Sequence, residues 1–235
     1  MSVEPRPRIA VVTFPGSNDD RDAVYALGLL GAEAVPVWHA EPTLPDVAAV
    51  VLPGGFSYGD YLRAGALARF APVMRDVQRF AGEGGLVLGI CNGFQVLCES
   101  SLLPGILRPN QSLSFVCRDA SLTVERSDTP FTARCSEGQR ISIPVKHGEG
   151  CYFADEELLA ELRESAQVVL RYEGEAPNGA VDRIAGIVSS EGNVMGLMPH
   201  PEHAVDELVG AGSTDGALVL GSLVDAARDR AAAVV

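Results

Sequence analysis

Short apolar runs rich in Val and Ile alternate with longer amphipathic stretches through the amino-terminal part of the chain. A strand buried on both faces reads as a continuous apolar run, whereas a helix covering it repeats its apolar positions about every 3.6 residues. The alternation therefore predicts a mostly parallel sheet flanked by helices, with strands at Ile9–Phe14, Ala34–Trp38, Ala48–Leu52 and Leu86–Ile90. Between the first two, Val24, Leu27 and Leu30 share one helical face, Ser17 or Asn18 can cap the start, and Gly31 marks the end. Helical material from Ala64 to Ala81 is broken or restarted at Pro72, because proline fits a helix only in its first turn.

Beyond Pro109 the period changes. Leu113–Glu125, Arg140–Val145 and Val168–Tyr172 predict further strands, and Ile184–Val188 and Val194–Met198 flank a turn-rich segment as a hairpin. Antiparallel strands are thus expected to extend the sheet in the carboxy-terminal half. Asp155–Glu164 reads as a short helix and Thr214–Ala232 as a closing helix with Leu218, Gly221, Leu223 and Val224 turned inward. No repeat, low-complexity tract or dividing linker interrupts the 235 residues, so one α/β domain spanning 1–235 is expected.

Composition narrows the function classes. Hydrophobic residues make up 47% and charged residues 21%, enough apolar material for a core and unlike a disordered chain. Eighteen Lys and Arg against 31 Asp and Glu give a formal charge of −13, a field that repels phosphate backbones and anionic lipid. Nucleic acid and membrane surfaces are therefore poor partners. The five cysteines include no CxxC pair and read as reduced thiols of the cytosol. The apolar stretch Arg8–Phe14 is too short for a signal-peptide core, and no run reaches the roughly 18 residues of a membrane span, so an untargeted cytoplasmic protein is expected.

Three segments carry candidate chemistry. Gly89-Ile90-Cys91-Asn92-Gly93 follows a buried strand and precedes Phe94, Leu97 and Cys98 at helical spacing. Strand, sharp turn and helix form a nucleophile elbow, with a thiol held where helix N–H groups favour an anion. Such a thiol needs a base, and the base an orienting acceptor. Pro199-His200-Pro201-Glu202-His203 supplies both: in extended backbone His200 and Glu202 share one side, Cys91 faces the other ring nitrogen, and His203 points away. Pro53-Gly54-Gly55-Phe56 ends another strand, where consecutive glycines can turn N–H groups toward an oxyanion, with the Asn92 amide as a second donor. Cys135, His147 and Cys151 meet no zinc spacing, so no metal is expected. No phosphate loop or dinucleotide fingerprint occurs, and no cofactor is expected in this chain.

These motifs resemble the class I, triad-type glutamine amidotransferases. GxCxGxQ over Gly89–Gln95 and the His-Pro-Glu of 200–202 are shared across that class. The stretches Gly54–Ala66 and Lys146–Gly150, with Phe14–Asn18 and Pro109–Ser112, are similar to a branch serving purine biosynthesis. The resemblance implies Cys91 as nucleophile, His200 as general base and acid, and Glu202 as its orienting group. It further implies Gly54, Gly55 and Asn92 as the oxyanion hole and Gln95 as a contact to substrate glutamine. Ammonia would pass to a larger synthetase subunit that holds ATP and Mg²⁺ and converts formylglycinamide ribonucleotide to its amidine, with a third small subunit in the same complex. The branch often has Cys in place of Asp19 and Arg in place of His203. The resemblance leaves the roles of Arg63, Lys146 and His147 open. A γ-glutamyl hydrolase or DJ-1/PfpI-type cysteine hydrolase is the rival among enzymes, although the latter has His where Asn92 stands. A non-catalytic scaffold subunit is the rival of another class.

Overall fold

A computed structural model describes residues 6–208, 210 and 212–233. The strands are β1 (Arg8–Thr13), β2 (Glu33–Trp38), β3 (Ala49–Leu52), β4 (Leu86–Ile90), β5 (Ile106–Arg108), β6 (Val116–Val124), β7 (Arg140–His147), β8 (Cys151–Phe153), β9 (Val168–Tyr172), β10 (Ile184–Val188) and β11 (Val194–Leu197). The helices are α1 (Asp20–Leu29), α2 (Pro72–Gly82), α3 (Asn92–Glu99), α4 (Glu156–Glu164) and α5 (Gly216–Ala233). Nine strands form one mixed sheet in the order β2-β1-β3-β4-β11-β10-β9-β6-β7, and β5 and β8 pair separately.

The five strands from β2 to β11 run parallel, in register Ile9 opposite Ala34, Ile9 opposite Ala49, Leu52 opposite Gly89, and Leu197 opposite Ile90. β3 and β4 are buried at every position, which is why they read as unbroken apolar runs. From β11 onward each neighbour is antiparallel, beginning with the predicted hairpin of β10 and β11. β11 is thus the hinge of the sheet, parallel to β4 on one side and antiparallel to β10 on the other. Sheet and helices share one continuous cluster of buried apolar residues.

Local signals explain most boundaries. Pro72 opens α2, after a single 3₁₀ turn at Ala68–Phe70, so the helical material before it is shorter than expected. Asp155 caps α4 by accepting from the Leu158 N–H at 2.9 Å, so the helix begins at Glu156, one residue later than the predicted start. Neither Ser17 nor Asn18 caps α1; Asp19 occupies the cap position without a side-chain cap bond, because its carboxylate is committed elsewhere. On α5, Val219, Leu220, Leu223, Val224 and Ala227 are buried, whereas Leu218 is only partly so.

Candidate active site

Cys91 sits between the end of β4 and the start of α3 with φ 49° and ψ −103°, a conformation that L residues rarely adopt. The glycines around it allow the turn. A Cβ on Gly93 would lie 1.9 Å from the Leu52 carbonyl oxygen, and one on Gly89 would lie 2.5 Å from a Leu97 methyl carbon. Without those side chains α3 packs directly onto β3 and β4. The Cys91 N–H donates to the Leu197 carbonyl at 2.8 Å, tying the elbow to β11. Its sulfur lies 3.8 Å from the Lys146 carbonyl oxygen.

β11 delivers the second half of the site. Past Leu197 the chain enters Met198-Pro199, the His200 N–H donates to the Pro144 carbonyl at 2.8 Å, and Pro201–His203 makes one 3₁₀ turn. The segment is therefore not extended, yet it brings His200 Nδ1 to 2.6 Å from Glu202 Oε1. Both side chains are buried. Burial alone would strip the ring of its proton, but the Glu202 carboxylate and the Cys91 sulfur overrule it and raise the His200 pKa to about 10. With Nδ1 occupied, Nε2 is the nitrogen left for Cys91. It makes no close hydrogen bond, a looseness usual before substrate tightens a catalytic pair.

His203 does not point away. Its Nε2 lies 3.0 Å from Asp19 Oδ1 and its ring centroid 5.6 Å from that of His200. The 3₁₀ turn is the reason, since it winds successive side chains around one axis rather than alternating them. Asp19 also pairs with the Lys146 ammonium, and its Oδ2 stands 3.6 Å from His200 Nδ1. Burial would raise the Asp19 pKa, but the hydrogen bond to His203, the charge of His200 and Lys146 hold the carboxyl well below the usual range. Asp19 and His203, the two departures from the branch pattern, are thus in direct contact. Donor atoms of Asp19, His200, Glu202 and His203 lie within 4.8 Å of one another, a spacing that could suit a metal ion. Nδ1 is already bonded to Glu202 and Asp19 to Lys146 and His203, so the cluster balances its own charges.

A cavity of about 340 Å³ opens beside Cys91, lined also by Asn18, Asp19, Gly55, Phe56, Asp60, Gln95, Phe115 and the segment 146–149. That volume suits a small ligand. A larger groove of about 760 Å³ lies at the other end of the sheet, near Leu86 and Val194, and contains none of these residues. Gly55 lines the Cys91 cavity with φ 140°, while Gly54 backs the imidazole: a Cβ there would lie 2.6 Å from His200 Cε1. The neighbouring Asn18 and Phe56 N–H groups are spent on the Gly54 and Gly16 carbonyls. Asn92 heads α3, whose first N–H groups have no acceptor within the helix. Its side chain accepts from the Ser57 N–H at 3.1 Å and donates to Gln95 Oε1 at 2.8 Å, and Gln95 in turn donates to the Glu149 carbonyl.

Sequence reasoning assigned no role to several groups that the fold brings here. His147 is buried, held by Asn110 Oδ1 at 3.1 Å, and pushed down to about 4 by burial and then by the charge of His200. Asp60 is raised to about 6 by burial and then by Glu149. Arg63 grips Glu99 of α3 with two nitrogens, at 2.5 and 2.6 Å, outside the cavity. His39 bonds the Tyr58 hydroxyl at 2.7 Å, also outside it. The Gly54–Ala66 and Lys146–Gly150 stretches, distinctive as motifs, signalled that this region mattered, but neither motif gave Asp60 or His147 a role, and Asp19 stood out only as a departure from the branch pattern.

An elbow cysteine, a buried His–Glu pair and a small cavity at the carboxyl ends of adjacent parallel strands define a cysteine-dependent amidotransferase. Residues 6–216 match the CobB/CobQ-like glutamine amidotransferase domain, and the chain belongs to that family. Within it, the chain is similar to phosphoribosylformylglycinamidine synthase subunit PurQ of Salinibacter ruber, 56% identical over 93% of this chain and 96% of that one. It is 58% identical to the PurQ subunit of Rubrobacter xylanophilus over 90% and 96% of the two chains. A chain in the solved structure of PurLQS from Thermotoga maritima superposes with a TM-score of 0.86 at 45% identity, covering 94% of this chain and 99% of that one.

Proposed function

We infer that this chain is the glutaminase subunit of a phosphoribosylformylglycinamidine synthase, an enzyme that frees ammonia from glutamine for purine biosynthesis. The observation that carries the reading is the 2.6 Å His200–Glu202 pair buried beside the elbow cysteine, which faces a cavity suited to a small ligand. In the reaction the Cys91 thiolate attacks the side-chain amide carbon of glutamine. The carbonyl oxygen becomes an oxyanion facing the N–H groups of Gly55 and Asn92, with Gly54 keeping the loop against the imidazole. His200 gives its Nε2 proton to the departing nitrogen, and ammonia leaves a glutamyl thioester. Water then attacks the thioester carbon, His200 takes the proton back, and glutamate departs as the thiolate is regenerated. Glu202 holds the ring by Nδ1 throughout, and Gln95 contacts the substrate.

The partners are a synthetase subunit and a third small subunit, a reading supported by the PurLQS assembly of a relative; ATP and Mg²⁺ would be held by the synthetase subunit. Phe56 and Phe115 line the mouth of the cavity with ring centroids 6.4 Å apart, and Leu62 and Ile106 line an adjoining recess that shares Asp60 and Glu149 with it. Exposed apolar side chains clustered at the rim of a site favour a surface that a partner covers. Replacing Cys91 by Ala should abolish glutamine-dependent amidine formation by the complex and leave ammonia-dependent formation intact; loss of both would reject the nucleophile. A glutamine-mimicking electrophile should label Cys91 alone among the five cysteines.

A further inference from the structure

Asp19 takes no part in the reaction just described, yet it faces the catalytic imidazole from a different element than Glu202 does. It stands at the cap position of α1 without capping it, and its side chain is only 4% exposed. Oδ1 is held by Lys146 Nζ and by His203 Nε2 at 3.0 Å. That leaves Oδ2 to approach His200 Nδ1 at 3.6 Å. Gly54 makes the approach possible, since a Cβ there would lie 2.5 Å from Oδ2 and 2.6 Å from His200 Cε1. The Nδ1 side of the ring thus meets two carboxylates, and its single proton goes to the nearer one, Glu202. Asp19 acts on the ring through charge, which counts for more in a buried site than in water.

We propose that Asp19 is a positioning residue for glutamine hydrolysis: a second anion on the Nδ1 side of His200, anchored by Lys146 and His203, that keeps the imidazole charged and its Nε2 directed at Cys91. The inference rests on the glutaminase reading for its consequence in turnover, but not for its physical content. The charged or titratable groups facing His200 are Glu202 and His203 on its own turn, Cys91 at the head of α3, His147 on β7 and Asp19 from the loop before α1; Lys146 reaches it through Asp19.

The test follows the ring nitrogens of the four histidines by NMR in ¹⁵N-histidine-labelled full-length chain, titrated from neutral to alkaline pH. Asp19→Asn should lower the proton affinity of His200 by about tenfold or more, the usual effect of removing an opposite charge at this range. Asp19→Glu should restore most of it. In the assembled complex Asp19→Asn should reduce kcat for glutamine by about tenfold with KM nearly unchanged, while ammonia-dependent synthesis holds. A His200 titration unmoved in Asp19→Asn overturns the proposal, whatever happens to thermal stability. Should the Asn variant not fold, Asp19→Ser removes the charge and leaves space, and the same criterion applies to it. Failure of wild-type Cys91 to react with a glutamine-mimicking electrophile would instead overturn the glutaminase reading, and the titration would still decide the role of Asp19.

Discussion

Cys91 holds a φ of 49° that costs a side-chain-bearing residue about 1–3 kcal/mol. The strain places the sulfur at the cavity, so stability and chemistry conflict at this one position. Cys91→Gly, which accepts the dihedral freely, should therefore melt above Cys91→Ala by an amount equal to about 1 kcal/mol or more, and thermal denaturation of the two inactive variants measures it. Two other residues in the cavity oppose each other in their response to pH. Asp60 has its pKa raised from 3.8 to about 6, so the stability it contributes is present below 3.8 and lost as pH rises through 6. His147 has its pKa lowered from 6.5 to about 4, so its contribution is present above 6.5 and lost as pH falls through 4. The two slopes offset each other over the same window. Asp60→Asn removes the first and leaves the second, so its melting temperature should climb relative to wild type between pH 4 and pH 7; parallel curves would show that Asp60 is already ionised across the window.

Among the elements, the elbow depends on two close approaches that tolerate no side chain. Gly93→Ala would drive a methyl into the Leu52 carbonyl at 1.9 Å, between β3 and α3, neither of which can yield without displacing Cys91. Such overpacking costs about 1–3 kcal/mol or more, and Gly93→Ala should lose both melting temperature and Cys91 labelling, whereas Gly28→Ala on the open face of α1 should lose neither. These glycines were legible in the sequence because they flank a cysteine at a strand end. So were β4, β9 and β10, whose apolar runs match the observed strands residue for residue. What periodicity could not reveal was β5 and β8, three residues each and too short to show a period. It also could not reveal the 3₁₀ turn after His200, where the prolines fix a winding that extended geometry does not anticipate. The His–Glu pair was found despite the wrong local conformation, since either shape can close two residues onto each other; the orientation of His203 was lost for the same reason.

At the scale of the molecule, the apolar rim argues for assembly. Leu62 and Tyr61 are 83% and 74% exposed beside the recess that adjoins the cavity. Leu62→Asp should weaken co-purification with the synthetase subunit while leaving electrophile labelling of Cys91 in the free chain unchanged; undiminished co-purification would place the interface elsewhere. Among the described residues no helix is long and apolar enough to cross a membrane. The sheet order carries a further consequence. Among the described residues β11 is the last strand, but it sits near the middle of the sheet, between β4 and β10, and it is β11 that leads to His200. A polypeptide still emerging from the ribosome therefore owns its sulfur long before its imidazole, with a gap where the two would meet. A product truncated between Cys91 and His200 carries the elbow sulfur but lacks the imidazole that the proposed reaction needs.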